Sequence, residues 1–349
     1  MNCRICNHKC KKIYSTINIP ECIWPTKKKS TFSKIIIYSC LKCSHLQLQN
    51  FSKKKISNFY GDTQYVLSKP NDLKKKVLLI QKEYGKNFFK NKKILDVGGG
   101  TNPVFKNANT YILDFKVQKE IKKLFRKRYY EKNIEDKTIK KKFDIIFLMH
   151  TIEHFKYPGK AIKNIKNLLK KDGKLFVEIP NFNYYIKKNT YYSIFHQHLS
   201  LFTLKHLKNL LNFYSMKIEK LFIEDKVIYC SIKNTDIKSE MLSINNEILF
   251  KLLKKNYTIM KKKVYVHLKD NKFDIYGAGG AMVLLINSIK KVKKNIRKIF
   301  DNQDSKRYKI FPGTDITISK NKRSIYEKEI YSLSSYSLSK KNNLNINKI

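Results

Sequence analysis

Three consecutive glycines follow a strand-like segment and could hold a cofactor. They are Gly98-Gly99-Gly100, and they come directly after Ile94-Leu95-Asp96-Val97. Because glycine has no Cβ, the backbone can pass close beneath a ligand at such a turn. The spacing through Thr101-Asn102-Pro103 does not give G-x-G-x-x-G, which argues against a nicotinamide dinucleotide. The turn alone predicts an adenosine-type cofactor, and another dinucleotide binder remains the alternative.

Two acids further along the chain could complete this cofactor site. Asp114 ends the next strand-like run, where an acid can accept the ribose hydroxyls of a nucleoside. Asp136 follows Asn133-Ile134-Glu135 and is a candidate for the adenine amino group. The apolar run from 143 to 148 predicts a buried central strand, and we expect its Asp144 to serve the sheet edge.

The segment His150-Thr151-Ile152-Glu153-His154 has two possible interpretations. It fits the pattern of zinc hydrolases, which need it inside a helix together with a further acidic ligand. Here it directly follows the predicted central strand, which disfavours a metalloprotease. His154 is then either functional or a packing histidine at a helix start.

Four cysteines form two C-x-x-C pairs that could clasp one metal ion. The pairs are Cys3 with Cys6 and Cys40 with Cys43. Four thiolates would make a closed, structural zinc site without an open position for catalysis. The 33 residues between the pairs exceed the loop of a compact zinc ribbon, and Cys10 and Cys22 could compete as ligands. Four reduced, buried cysteines are the alternative.

The elements that must position these residues fall into three parts. A chain of 349 residues predicts two or three domains. Residues 1–55 hold six of the seven cysteines, and residues 56–235 alternate strand-like and lysine-rich amphipathic stretches, which predicts an α/β fold with a parallel sheet. Residues 236–349 begin with a predicted helix over 237–267 and continue with a second strand–glycine–helix pattern from Phe273.

Composition limits the partners. The formal net charge is +47, but only six of the 74 basic residues are Arg and the lysines run through the whole chain. This distribution fits a proteome-wide bias better than a nucleic-acid interface, where basic residues concentrate on one face. The charge favours a small acidic substrate. No apolar run approaches the ~20 residues of a membrane span, and no signal-peptide core is evident, so we expect a cytoplasmic protein away from membranes.

Residues from about 90 to 235 resemble the class I methyltransferase family. The resemblance rests on the glycine turn, on Asp114, on the segment 150–154 and on the helix–turn–strand pattern of 168–175. It implies a Rossmann-like core that binds S-adenosylmethionine. The residues that it assigns to the cofactor are Asp96, Gly98, Gly100, Asp114, Asp136 and His150.

The whole arrangement is similar to the sugar C-methyltransferase family. That family combines an N-terminal zinc-binding domain, a central methyltransferase and a C-terminal Rossmann-like α/β domain. The resemblance is carried by the second cysteine pair, by Phe195-His196-Gln197-His198-Leu199-Ser200-Leu201-Phe202, and by Tyr276-Gly277-Ala278-Gly279-Gly280. It implies a nucleotide-linked 4-keto deoxysugar as substrate, in surface-polysaccharide or secondary-metabolite synthesis, and a monomer or homodimer.

C-methylation needs a base beside the carbon that loses a proton, and imidazole suits this task. By position in the resemblance, His198 is the candidate base, with His196 and Gln197 beside it. A tyrosine before the core, Tyr65 or Tyr60, would line the sugar. The family has glutamate at 197 and tyrosine at 195 where this chain has Gln and Phe. Sugar O- or N-methylation and an inactive scaffold therefore remain alternatives. The charge and the cysteine pairs leave a nucleic-acid-binding methyltransferase as a further alternative. For His196 and His198 the alternative is that they are ordinary loop histidines.

Overall fold

The computed structural model describes residues 1–60, 70–136, 139–187, 194–237, 239–320, 330–332 and 346–348. Tyr65 lies outside these residues. Within them, no helix is both long enough and apolar enough to cross a membrane. The helices are α1 (Lys53–Asn58), α2 (Pro70–Tyr84), α3 (Lys119–Phe125), α4 (Pro158–Leu168), α5 (Phe182–Lys187), α6 (Leu204–Phe213), α7 (Asn246–Leu268), α8 (Gly280–Asn287) and α9 (Lys290–Lys293).

Short antiparallel strands form the N-terminal part. They are β1 (Cys10–Ser15), β2 (Ile19–Pro20), β3 (Phe32–Ser33), β4 (Ile36–Cys40) and β5 (Leu46–Leu48). The central strand β4 pairs with β1 on one side and β5 on the other, while β2 and β3 form a separate ladder. The turn after β4 carries the second cysteine pair back towards the first.

A seven-stranded mixed sheet forms the centre of the molecule. Its strands in chain order are β6 (Ile94–Val97), β7 (Thr110–Asp114), β8 (Tyr129–Glu131), β9 (Phe143–Met149), β10 (Leu169–Pro180), β12 (Met216–Ile223) and β13 (Val227–Asn234). Their spatial order is β12-β13-β10-β9-β6-β7-β8. From β10 to β8 all neighbours are parallel, and β13 is antiparallel to both of its neighbours.

The order in which the chain adds strands to this sheet reverses between β6 and β9, although the two strands are parallel. After β6 the chain builds outwards through β7 and β8, and it then returns to place β9 on the other side of β6. The carboxyl ends of strands at such a switch point border a crevice where ligands bind in α/β proteins. All four residues of β6 are buried, as expected for a strand covered on both faces.

A strand from the central part of the chain completes the N-terminal sheet. The two-residue strand β11 (Ser200–Leu201) pairs antiparallel with β5 and completes the order β1-β4-β5-β11. The guanidinium of Arg4 adds to this junction by donating to the Leu199 carbonyl oxygen at 3.1 Å. The segment from 195 to 202, which carries the predicted base, is therefore attached to the N-terminal strands.

A third sheet follows helix α7. Its parallel strands are β14 (Phe273–Tyr276), β15 (Ile296–Phe300), β16 (Ile318–Ser319), β17 (Ile330–Ser332) and β18 (Ile346–Lys348), in the order β16-β15-β14-β17-β18. Helix α7 begins later than the predicted residue 237, because the side chain of Asn245 caps it by accepting from the backbone N–H of Ile248. The domain boundaries at 55 and 235 stay predictions.

Candidate active site

The glycine turn lies at the carboxyl end of β6, as the sequence predicts. Gly98 has a φ of +90°, and a Cβ at this position would lie 2.4 Å from Oγ1 of Thr151. A Cβ at Gly99 would lie 2.6 Å from the Asp96 carboxylate, and one at Gly100 would lie 2.5 Å from a backbone oxygen. All three positions are therefore closed to larger side chains. The turn provides the close backbone approach that a nucleoside cofactor needs.

The two acids at this edge hold the turn in shape. Asp96 is buried, and its carboxylate accepts the backbone N–H of Val104 at 2.6 Å. Burial raises the pKa of Asp96 to about 7 in spite of that hydrogen bond, and the charge of Asp114 adds to the effect. Asp114, at the end of β7, accepts the backbone N–H groups of Gly100 at 3.0 Å and Lys116 at 3.1 Å. The structure thus brings both acids to the glycine turn.

Asp136 lies in the turn that follows β8. Its backbone N–H donates to the Asn133 carbonyl oxygen at 3.0 Å. The next two residues, 137 and 138, lie outside the described part of the chain. Its assignment to the adenine amino group stays a prediction.

His150 is the centre of a buried network at the end of β9. Its backbone has a φ of +49°, a left-handed conformation in which His is enriched. Its Nε2 lies 2.7 Å from a Glu178 carboxylate oxygen, and its Nδ1 lies 3.4 Å from Oε1 of Glu153. Lys76 forms an ion pair with Glu178 from the other side. Burial opposes protonation of His150, but the hydrogen bonds to Glu153 and Glu178 outweigh it and raise the pKa to about 9.

Two further imidazoles, which form a pair, lie next to this network. The ring centroids of His154 and His198 are 5.1 Å apart, and the Phe195 ring lies 4.0 Å from that of His198. His154 belongs to a short 3-10 helix, Ile152–His154, that follows β9. Tyr60 reaches the same place, with its ring centroid 6.3 Å from that of His154. The structure therefore brings the predicted base His198 together with His154.

The side chains of His196 and Gln197 face the N-terminal part instead. His196 is completely buried, with Nε2 2.9 Å from the Ser33 hydroxyl, and its ring packs against Phe59 at 5.0 Å. Burial lowers its pKa to about 4. Gln197 accepts the indole N–H of Trp24 at 3.0 Å and donates to the Phe59 carbonyl oxygen at 2.6 Å. The local contacts of both side chains are structural, and their predicted roles in catalysis remain untested.

Thr151 connects the imidazoles to the glycine turn. Its hydroxyl donates to the Val97 carbonyl oxygen at 3.2 Å, one residue before Gly98. The cofactor turn and the imidazole pair therefore border the same end of the sheet. Lys76 and Trp24 were not identified from the sequence, since they lie far along the chain from the motifs that they support. In the sequence, Glu178 is recognisable as the polar residue within the otherwise apolar run 175–180 at the end of β10.

The four predicted metal-ligand cysteines meet in space. Their sulfur atoms lie within 4.8 Å of one another, and three of the sulfur–sulfur distances are 3.5–3.6 Å. A tetrahedral zinc site with Zn–S bonds of about 2.3 Å has edges of about 3.8 Å, so the thiols have the right arrangement. The sulfur of Cys22 is directed towards the Trp24 carbonyl oxygen at 3.6 Å. The sulfur of Cys10 lies 3.9 Å from the His8 carbonyl oxygen and also interacts with the thiols of Cys3 and Cys40, so Cys10 remains a competing ligand.

Comparison with known proteins agrees with this site. Residues 70–219 match the family model described as a methyltransferase domain. No curated protein sequence matches the chain. The matched segment, the strand order and the glycine turn together support a Rossmann-like methyltransferase domain within these residues. With this domain the chain is an S-adenosylmethionine-dependent methyltransferase.

Several solved structures are similar to it. One is an S-adenosylmethionine-dependent methyltransferase from Clostridium acetobutylicum ATCC 824, with 13% identity, 52% of this chain and 98% of that chain covered, and a TM-score of 0.38. A plantazolicin methyltransferase in complex with SAH has 15% identity, coverage of 52% and 90%, and a TM-score of 0.38. A Burkholderia thailandensis 1,6-didemethyltoxoflavin-N1-methyltransferase has 12% identity, coverage of 56% and 98%, and a TM-score of 0.33.

Proposed function

We propose that this enzyme methylates a carbon atom of a nucleotide-linked 4-keto deoxysugar, with His198 as the base. The observation that carries the proposal is the position of the His154–His198 pair beside the glycine turn, at one end of the sheet. An imidazole at this place can accept a proton from a substrate held against the cofactor. The sugar class comes from the family resemblance of the sequence.

S-adenosylmethionine supplies an electrophilic methyl group when it is bound. Asp96, Gly98, Gly100 and Asp114 would hold it, with Asp136 and His150 as further candidates. His198 would take the proton from the carbon beside the ketone, which leaves the electron pair on that carbon and its carbonyl oxygen. Bound S-adenosylmethionine would supply the methyl group to that carbon, and His198 would keep the proton until solvent removes it.

The alternative is O- or N-methylation of a sugar by the same site. Phe195 favours it, because the family tyrosine would place a hydroxyl near His198 and phenylalanine offers no hydrogen bond to an enolate oxygen. In that reaction His198 would remove the proton from a hydroxyl or amine. Tyr60 would then be the nearest described tyrosine to the imidazole pair.

We assign structural zinc to Cys3, Cys6, Cys40 and Cys43. The buried thiols with nearly tetrahedral spacing support this assignment. In the proposed division, residues 1–55 form the zinc-binding domain, 56–235 the methyltransferase and 236–349 a nucleotide-binding-like domain. A nucleotide sugar is the proposed partner, in the cytoplasm, with a monomer or homodimer as the assembly.

Incubation with methyl-labelled S-adenosylmethionine and a panel of nucleotide 4-ketosugars tests the function. Label in a new C–methyl bond, located by NMR of the product, supports the proposal, and label in a methyl ether supports O-methylation. Transfer to RNA in place of every sugar would refute both. His198→Ala should lose transfer while it retains S-adenosylhomocysteine binding, and retained transfer would remove His198 from the base role.

A further inference from the structure

A single buried carboxylate faces all three imidazoles at the carboxyl end of β9. Glu153 is 1% exposed, and its Oε1 lies 3.4 Å from Nδ1 of His150 and 4.0 Å from Nε2 of His154. One ligand atom from each of Glu153, His154 and His198 lies within 4.8 Å of the others. The second oxygen, Oε2, has no hydrogen-bond partner among the described residues. A buried carboxylate with a spare oxygen can serve a group that gains positive charge.

The residue at position 197, which is expected to carry a negative charge beside the imidazoles, is neutral in this chain. Position 197 is glutamate in the family that the sequence resembles, and here Gln197 is neutral. Its amide is also turned towards Trp24 and Phe59, whose groups satisfy it. Only the backbone oxygen of Gln197 reaches the imidazole pair, at 2.9 Å from Nδ1 of His154.

That backbone contact defines the state of His154. A carbonyl oxygen only accepts, so Nδ1 of His154 carries the proton of this hydrogen bond. Nε2 is then the nitrogen that faces Glu153 and that takes the second proton when the ring becomes cationic. Glu153 is thus in place to stabilise the imidazolium form of the ring.

We propose that Glu153 is the positioning carboxylate of the His154–His198 pair and stabilises the cation that forms when the pair takes a proton from the substrate. This extends the proposed function, because the proton comes from the sugar. Preorganised charge at a site where opposite charge develops is a large contribution to catalysis. The carboxylate acts through the imidazoles and does not itself touch the substrate.

The other charges around Glu153 are compatible with this role. Burial opposes its ionisation, but the hydrogen bond of His150 and the charges of His154, His150 and His198 lower its pKa, so it is an anion. On the far side, Glu178 and Lys76 form an ion pair, and His150 lies between the two glutamates. The negative charges of the two glutamates are therefore balanced by the positive charges of His150 and Lys76 before the His154–His198 pair takes up a proton.

The test combines two independent readouts on Glu153→Gln. In histidine-labelled protein, NMR titration gives the pKa values of His154 and His198, with signals assigned by their loss in His154→Gln and His198→Gln. We expect Glu153→Gln to lower the imidazole pKa by about one unit, a ten-fold change in proton affinity. In kinetics, the acid limb of the kcat/KM profile should move to lower pH with it, and the plateau should fall roughly ten-fold or more.

Controls separate this role from a structural one. Glu219→Gln removes a partly buried carboxylate that pairs with Lys174 and Lys233 away from the site, and it should change neither readout. Glu153→Asp keeps the charge and should shift the imidazole pKa less than Glu153→Gln, which matters if the latter folds poorly. Absence of methyl transfer in the wild type would overturn the proposed function and leave the NMR result intact.

Two outcomes would overturn the inference itself. One is an unchanged titration of both imidazoles in Glu153→Gln and Glu153→Asp. The other is that one equivalent of Co²⁺ broadens the NMR signals of His154 and His198, and that this broadening requires Glu153. Activity would then be lost on addition of a chelator and restored by the ion. In that case the carboxylate would be a metal ligand.

Discussion

The indole N–H of Trp24 donates to the side-chain oxygen of Gln197 across 173 positions of sequence, at 3.0 Å. This contact ties the N-terminal strands to the segment that carries His198. It also explains how glutamine can occupy a position where the resembling family has glutamate. Gln197 uses its amide as donor and acceptor at once, to Phe59 and Trp24, which an ionised carboxylate cannot do.

Loss of this tie should destabilise the protein. Trp24→Phe leaves a buried oxygen of Gln197 without its donor, which costs about 1–3 kcal/mol of unfolding free energy. In a Gln197→Met background the same change should cost less, because the unsatisfied oxygen is gone. Urea unfolding of the four proteins in this cycle measures the difference. Equal costs in both backgrounds would show that the hydrogen bond contributes nothing to stability.

Metal content should depend on the four clustered cysteines and not on Cys22. Cys43→Ser should reduce bound zinc from about one ion per chain and lower the melting temperature, because metal binding and folding are coupled. Cys22→Ser is the matched control, since its sulfur faces a backbone oxygen instead of the cluster. Elemental analysis of purified proteins decides the matter. Zinc-free wild-type protein with an unaltered melting temperature would contradict the assignment.

Cofactor affinity should distinguish two aspartates at opposite ends of the sheet. Asp114→Ala removes the carboxylate at the glycine turn, and we expect at least a ten-fold weaker affinity for S-adenosylhomocysteine, about 1.4 kcal/mol. Asp144→Ala removes a carboxylate that accepts from Lys93 and pairs with Lys170 at the far edge. It should leave the affinity within two-fold of wild type by calorimetry. Equal losses in both variants would indicate a general effect on the sheet.

Stability should fall with rising pH through the titration of His150. Its folded pKa of about 9 exceeds the ordinary 6.5, so the contribution to stability is full below pH 6.5 and is lost as pH rises through about 9. In His150→Gln this decline between pH 6.5 and 9 should be absent. The exposed variant His8→Gln should keep the wild-type slope. Melting temperatures across this range give the answer, and a wild-type slope in His150→Gln would refute the prediction.

Local patterns in the sequence were sufficient for the parallel part of the central sheet and for the glycine turn at its edge, but they did not predict the antiparallel strands β12 and β13. The glycine turn, Asp114 and the strand from Phe143 were predicted from short, contiguous sequence motifs. The structure places all three as expected. Asp144 also lies at the predicted sheet edge. These features depend on neighbours in sequence, which is why they could be predicted.

The division of labour within 195–198 could not be predicted in the same way. In an irregular segment, successive side chains contact different parts of the molecule. The side chain of His196 contacts Ser33 and Phe59, which lie more than 130 residues earlier in the chain. The importance of Glu153 was likewise hidden, because it depends on the rotation of a short 3-10 helix towards His150 and His198. Contacts between distant parts of the chain decide such roles, and no periodic signal marks them.

The pairing of β5 with β11 has a consequence for how the molecule forms. The first strands emerge early in synthesis, but their sheet is completed only after some 150 further residues have been made. Pairings this distant in sequence are slow to form. A half-made chain therefore exposes an open strand edge at β5 until residues 200–201 arrive, and during that interval it would depend on chaperones for protection.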